Sequence, residues 1–124
     1  MKIRIYYEDV DIGGIVYHTK YINFCERARS EIFFAQGKLP VFEEYHFVVK
    51  NLQANFLQPA YFGEEIEVKT QLRQMKRTSL ILVQQIYRNQ ELLFSMDITL
   101  VCLKKDKIAK IPPYFLEVFA SLQS

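Results

Sequence analysis

The sequence contains no tryptophan, only four glycines and only two cysteines. Cys25 and Cys102 fall in a helical and a strand pattern, with no second thiol or histidine at ligand spacing. That excludes a disulfide framework and a zinc site, and predicts two buried free thiols. No apolar run reaches the roughly 18 residues that span a bilayer. Met1-Lys2-Ile3-Arg4-Ile5 lacks the apolar segment of a signal peptide, so the expected location is the cytoplasm. A net charge of +2 is too small for wholesale nucleic-acid binding, and no such partner is expected.

Glycine scarcity makes the adjacent pair Gly13-Gly14 conspicuous. It lies in Tyr7-Glu8-Asp9-Val10-Asp11-Ile12-Gly13-Gly14-Ile15-Val16-Tyr17-His18, which combines acids, aromatics and a histidine with little room for core packing. Glycine allows backbone angles closed to other residues and lets another molecule approach the main chain. The helix pattern that follows points its unpaired N–H groups back toward this loop. A carboxylate beside amide donors is the minimum kit for attacking a carbonyl. Asp9 is expected to be structural, bonding the loop's own N–H groups.

With 124 residues and half of them hydrophobic, the chain is read as one domain, residues 1–124. Lys2 to Glu8 alternates, with Ile3, Ile5 and Tyr7 on one side, and predicts a strand. From Thr19 to Gln36 the residues Tyr21, Cys25, Ala28, Ile32 and Ala35 recur at helical spacing, widened by Phe24, Phe33 and Phe34. Thr19 is the candidate N-cap and Gly37 the stop. Arg27 with Glu31, and Glu26 with Arg29, stand at ion-pair spacing on the other face. Extended patterns follow at 47–57, 65–74, 79–88 and 92–103. Turns at 75–78 and 88–91 make them antiparallel neighbours. Lys104 to Lys107 is a further turn, and Pro112-Pro113 introduces a closing helix over 114–122.

This order of elements predicts an α+β fold, a five-stranded antiparallel sheet wrapped around one long central helix. A second sheet face carrying Asn51, Gln53, Asn55, Gln84 and Gln85 is expected to be partly covered by another copy of the chain.

The loop, with Tyr21 and Phe24-Cys25-Glu26-Arg27-Ala28-Arg29 after it, resembles the N-terminal signature of hotdog-fold thioesterases. Within these it is most similar to the 4-hydroxybenzoyl-CoA thioesterase family and its YbgC-type acyl-CoA thioesterases, often linked with the Tol-Pal system. The resemblance continues through Phe56-Leu57-Gln58-Pro59-Ala60 and Lys76-Arg77-Thr78-Ser79. Val10 and Ile12 depart from the usual residues, which bears on acyl-pocket shape.

The resemblance implies acyl-CoA hydrolysis without cofactor or metal, in homodimers and homotetramers with sites at the dimer interface. It makes Asp11 the catalytic carboxylate, as nucleophile or general base, with His18 as the second catalytic residue. The amides around Tyr17 and His18 become the oxyanion donors, and Tyr7, Gly13, Gly14 and Tyr17 surround the substrate. Arg73, Lys76, Arg77, Thr78 and Ser79 are the expected coenzyme A dock, since paired cations and hydroxyls suit phosphate. The other readings are a thioesterase for acyl groups on acyl carrier protein, and a non-catalytic acyl-binding or dehydratase-like relative. Acyl carrier protein or membrane-associated partners are compatible with the resemblance.

Overall fold

The structure, a computed structural model, describes residues 1–122. Its elements are β1 (Lys2–Arg4), a 3-10 turn (Tyr7–Asp9), α1 (His18–Phe34), β2 (Tyr45–Phe56), β3 (Glu65–Met75), β4 (Ser79–Arg88), β5 (Glu91–Lys104), β6 (Lys107–Ile108) and α2 (Pro113–Ala120). The strands form one antiparallel sheet in the order β1-β3-β4-β5-β2. The five-stranded antiparallel sheet and the β3-β4-β5 hairpins agree with expectation, while the sequence pattern carries no order for β1 and β2. The sixth strand, β6, was not foreseen. Lys105 and Asp106 both adopt positive φ, the geometry of a two-residue hairpin, and fold β6 back onto β5.

Alternation along β4 sends Leu80, Leu82 and Ile86 inward, where each is essentially buried. Phe94, Met96 and Ile98 of β5 and Ile66 and Val68 of β3 complete the inner face. Helix α1 lays Tyr21, Phe24, Cys25, Ala28 and Phe33 among these core residues. Cys25 and Cys102 are fully buried and free, as expected. Phe115 and Phe119 of α2 meet Phe33 and Phe47 edge to face and close the far end of the core.

Several expectations are corrected. The first strand stops at Arg4 because the Tyr6 N–H donates to Asp9 Oδ2 at 2.9 Å, which curls the chain into the 3-10 turn. Tyr7 is consequently 81% exposed rather than inside. A register shift pairs Tyr87 with Leu92, so Leu93 joins the core while Leu92 is only half-buried. Gln84 faces inward and is completely buried, so the polar outer face retains only Asn51, Gln53, Asn55 and Gln85 of the five. Helix α1 starts one residue early, at His18, and ends at Phe34, which leaves Phe34 and Ala35 exposed. Neither proposed helical ion pair forms. Arg29 bonds Gln84 instead, and Arg27 lies over the Phe24 ring.

Candidate active site

The glycine stretch folds as a small hairpin between the 3-10 turn and α1. Asp11 and Ile15 bond through main chain (N···O 2.9 Å), Val10 bridges Val16, and the Tyr17 N–H donates to the Asp9 carbonyl at 3.1 Å. Asp11 Oδ1 accepts the Gly13 N–H at 2.9 Å and the Ile15 N–H at 3.4 Å. Gly14 has φ +78°, a conformation that strains side-chain-bearing residues. A methyl group on Gly13 would stand 3.4 Å from that same carboxylate oxygen. Gly14 is therefore the glycine that the turn presenting Asp11 requires, since the Gly13 contact is of ordinary van der Waals length.

The two acids of the D-x-D pair have different situations. Asp9 is 5% exposed and committed, bonding the Tyr6 N–H and lying 3.2 Å from Lys20 Nζ. This is the structural role expected of it. Asp11 is half-buried, and no cation among the described residues pairs with it.

Helix α1 begins without a side-chain cap. Its N-cap is Tyr17, not the predicted Thr19, and Tyr17 offers no hydrogen-bonding side chain to the first turn. Because the Tyr17 amide is taken by Asp9, His18 and Thr19 carry the first free N–H groups of the helix. His18 is exposed, its ring edge-on to Phe56 with centroids 6.2 Å apart.

A cleft of about 260 Å³ opens at this point, walled by His18, Tyr21, Ile15, Phe56, Leu57 and Pro59 among others. Asp11 stands outside its walls. Tyr7, Ile12 and Tyr17 are exposed around the loop, and Tyr7 packs edge-on against Phe62 at 5.7 Å.

Helical spacing places Tyr21 in the core, and its hydroxyl has a second task. Its hydroxyl accepts the Ala60 N–H at 2.9 Å, while the Ala60 carbonyl accepts the Val16 N–H at 3.0 Å. One buried alanine thus ties the glycine hairpin to the helix. Burial pushes the Tyr21 hydroxyl's pKa up, which keeps it protonated in this role. Its place in the apolar stripe concealed that second function.

The basic residues lie elsewhere. Lys76, Arg77 and Thr78 form the β3–β4 turn, held by the Lys76 N–H to the Ser79 carbonyl (2.8 Å). Arg73 is engaged with Asp97 across the sheet. A polar recess of about 200 Å³ joins Lys76 and Ser79 to Lys50, Asn51 and Thr99. Lys50 was not among the predicted residues, since nothing in its own strand marks it. Ser79 pairs with Val101 and Ile86 with Phe94, next to Phe56 and the cleft. Seven strand positions, roughly 23 Å at 3.3 Å each, separate the basic turn from the cleft within one chain. The structure does not bring the two groups together in a monomer.

Among the described residues no cluster of three or more His, Cys, Asp or Glu could hold a metal ion, and no helix is long and apolar enough to cross a membrane.

Comparison with known proteins agrees with this architecture. The acyl-CoA thioesterase YbgC of Helicobacter pylori is 46% identical over 87 residues, covering 70% of this chain and 65% of that protein. The chain therefore matches just under two thirds of that relative's length. The acyl-CoA thioester hydrolase YbgC of Escherichia coli is 37% identical over 105 residues, covering 81% of this chain and 78% of that protein. The crystal structure of the hypothetical protein TT1821 from Thermus thermophilus superposes with a TM-score of 0.88 at 28% identity, covering 99% of this chain and 98% of that one. Residues 6–119 match the family model of the thioesterase-like superfamily, and the chain belongs to that superfamily.

Proposed function

We propose that the protein is an acyl-CoA thioesterase, hydrolysing the thioester to a carboxylic acid and coenzyme A. The observation that carries this reading is an uncapped helix start whose first residue, His18, lines a cleft and has a free amide, adjoining the hairpin that holds a cation-free Asp11. The curated relatives with that named activity support it.

The chemistry asks little of the protein. A thiolate, with a parent pKa near 8.5, leaves readily, so no strong acid is needed. Asp11 supplies the nucleophile in one of two ways. As a base it takes a proton from water while the water oxygen bonds the carbonyl carbon. As a nucleophile it bonds that carbon itself, expels the thiolate, and the resulting anhydride is hydrolysed. In both routes the carbonyl oxygen turns anionic and is met by the His18 amide, aided by the helix dipole. Collapse returns the electron pair to sulfur, and the thiolate leaves with a proton from Asp11 or water.

A second copy completes the site. Strand β2 is a twelve-residue sheet edge, with Val48, Val49 and Leu52 exposed along it. An open edge of this length is a template for pairing. Two-fold pairing of β2 with itself sets the Phe56 end of one chain against the Tyr45 end of the other. The partner's Lys76-Arg77 turn then comes to the cleft end of this chain's β2, three strand spacings or roughly 14 Å away, which shortens the gap between acyl chemistry and phosphate dock.

The test is thiol release from a panel of acyl-CoAs by the wild type and by Asp11→Asn. Release abolished in the variant, with an unchanged circular dichroism spectrum, is the expected result. No release from any acyl-CoA by the wild type overturns the assignment.

A further inference from the structure

A space of about 410 Å³, larger than the cleft at His18, lies at the other end of the seam between α1 and β2. Its walls are mainly apolar, with Phe33, Val41, Phe47, Val49 and Phe119 prominent, and Arg29 reaches it. A cavity of this size, apolar with a few convergent polar groups, has the makeup of a small-molecule site. The same two elements wall both spaces. From His18 to Arg29 is eleven helical residues, roughly 16 Å at 1.5 Å each.

Arg29 is the unusual feature. Burial pushes its guanidinium's pKa down from the ordinary value, so water has been removed from much of it. Yet among the described residues no carboxylate lies within 4.0 Å, and its one hydrogen bond is to Gln84 Oε1 at 2.9 Å. Gln84 is wholly buried and locked, its amide donating to the Cys25 carbonyl (2.9 Å) and Thr70 Oγ1 (3.1 Å). One edge of the guanidinium is thereby pinned. Every fully buried side-chain nitrogen or oxygen among the described residues has a partner, so the Arg29 donors that make no bond keep some accessible surface, and Arg29 lines the cavity. A partly desolvated cation with no carboxylate in contact, attracted only at longer range by Glu26, is costly, and an anionic ligand relieves that cost. Glu26, also lining the space, is exposed to solvent and does not close on Arg29.

We infer that this cavity receives the distal end of the acyl group, and that Arg29 selects acyl chains ending in a carboxylate. The inference rests on the thioesterase reading, because the thioester carbonyl must sit at His18 for the chain's far end to reach Arg29. The apolar walls hold the methylene chain, and the open guanidinium donors receive the terminal carboxylate in charge-assisted hydrogen bonds.

The experiment compares kcat/KM for matched pairs of saturated acyl-CoA and ω-carboxyacyl-CoA, from four to twelve carbons, in the wild type, Arg29→Lys and Arg29→Met. At the best chain length the wild type prefers the ω-carboxy substrate by about tenfold or more, one charge-assisted hydrogen bond's worth. Arg29→Met loses that preference while plain acyl-CoAs keep their rates, and Arg29→Lys retains part of it. Sebacic acid, the free ten-carbon dicarboxylate, binds Asp11→Asn in titration calorimetry and does not bind the double variant with Arg29→Met. Should Arg29→Met fail to fold, the Lys variant and the wild-type substrate preference still decide. Hydrolysis of plain acyl-CoAs with no ω-carboxy preference at any length overturns this inference alone. Equal loss on both substrate classes in Arg29→Met assigns Arg29 to structure and also overturns it. Inactivity on every substrate overturns the thioesterase reading instead.

Discussion

The Tyr17 N–H donates to the Asp9 carbonyl oxygen at 3.1 Å. This bond fixes which amide of the helix start remains for a ligand. It ends the ladder that runs from Asp11 and Ile15 through Val10 and Val16, and it passes the vacancy on to His18. The loop that presents the carboxylate and the helix that presents the amide are therefore one hydrogen-bonded unit. Movement of either would carry the other with it.

The role of the His18 main chain can be separated from that of its ring. Proline is tolerated at the first position of a helix, and it requires an extended residue before it. Tyr17, at φ −58° and ψ 138°, already is one. His18→Ala removes the imidazole and leaves the amide; His18→Pro removes both without breaking an existing bond. The expected result is a modest loss of kcat for the alanine variant. The proline variant should lose about 10²–10³-fold more, the scale of an oxyanion donor. Equal rates in the two folded variants would assign the loss to the ring alone.

Asp9 and Asp11 are neighbours in motif and opposites in environment. Asp9→Ala leaves the Tyr6 N–H and the Lys20 ammonium without their shared partner. Its expected cost is about 1–3 kcal/mol in urea denaturation. Asp11→Asn keeps an acceptor for the Gly13 and Ile15 amides, so its stability should stay close to wild type while turnover falls about 10²–10⁴-fold. Reversed outcomes, an unstable Asp11 variant and an inactive but stable Asp9 variant, would exchange their roles.

Much of the fold was legible because its signals are periodic. The strand over 79–88 matches β4 residue for residue, and the long helix and closing helix emerge within two residues of their expected ends. Legibility failed where one side chain outweighs a pattern. Asp9 ends the first strand by bonding Tyr6, against a clean alternation that ran on to Tyr7. Arg29 and Gln84 looked like surface residues by type, yet they bond each other across the core from α1 and β4. The candidate site followed the same rule. Asp11, the glycines and His18 are contiguous in sequence and were visible; Lys50 joins Lys76 only through the pairing of separate strands.

The buried thiols give a pH signature. Desolvation pushes Cys25 up to about 12 and raises Cys102 as well. A raised acid favours the fold while the group is neutral in both states. That contribution is complete below about pH 9 and declines as pH rises toward 12. The slope for Cys25 is about 1.4 kcal/mol per pH unit in that window. Urea denaturation at pH 8 and pH 10.5 should show the fall, and Cys25→Ala should flatten it. In native protein at pH 8 neither thiol should react with a disulfide reagent, whereas both should react after unfolding. A native thiol signal would refute the burial argument and complicate any thiol-release assay.

Sharing of the site between two chains predicts rescue between two defective proteins. Asp11→Asn lacks the carboxylate. A Lys76→Glu, Arg77→Glu double variant lacks the phosphate dock and should show a raised KM that no longer depends on salt. If each cleft combines the loop of one chain with the basic turn of the other, a mixed dimer holds one intact site and one doubly damaged site. Unfolding and refolding the two proteins together at equal amounts makes half the dimers mixed. About a quarter of wild-type activity should then return at low substrate, from two preparations that are nearly inactive alone. Sites built within single chains cannot be rescued this way, since every chain carries one defect. Activity that stays at the average of the two parents would place loop and basic turn in the same protomer, against the roughly 23 Å of strand that separates them.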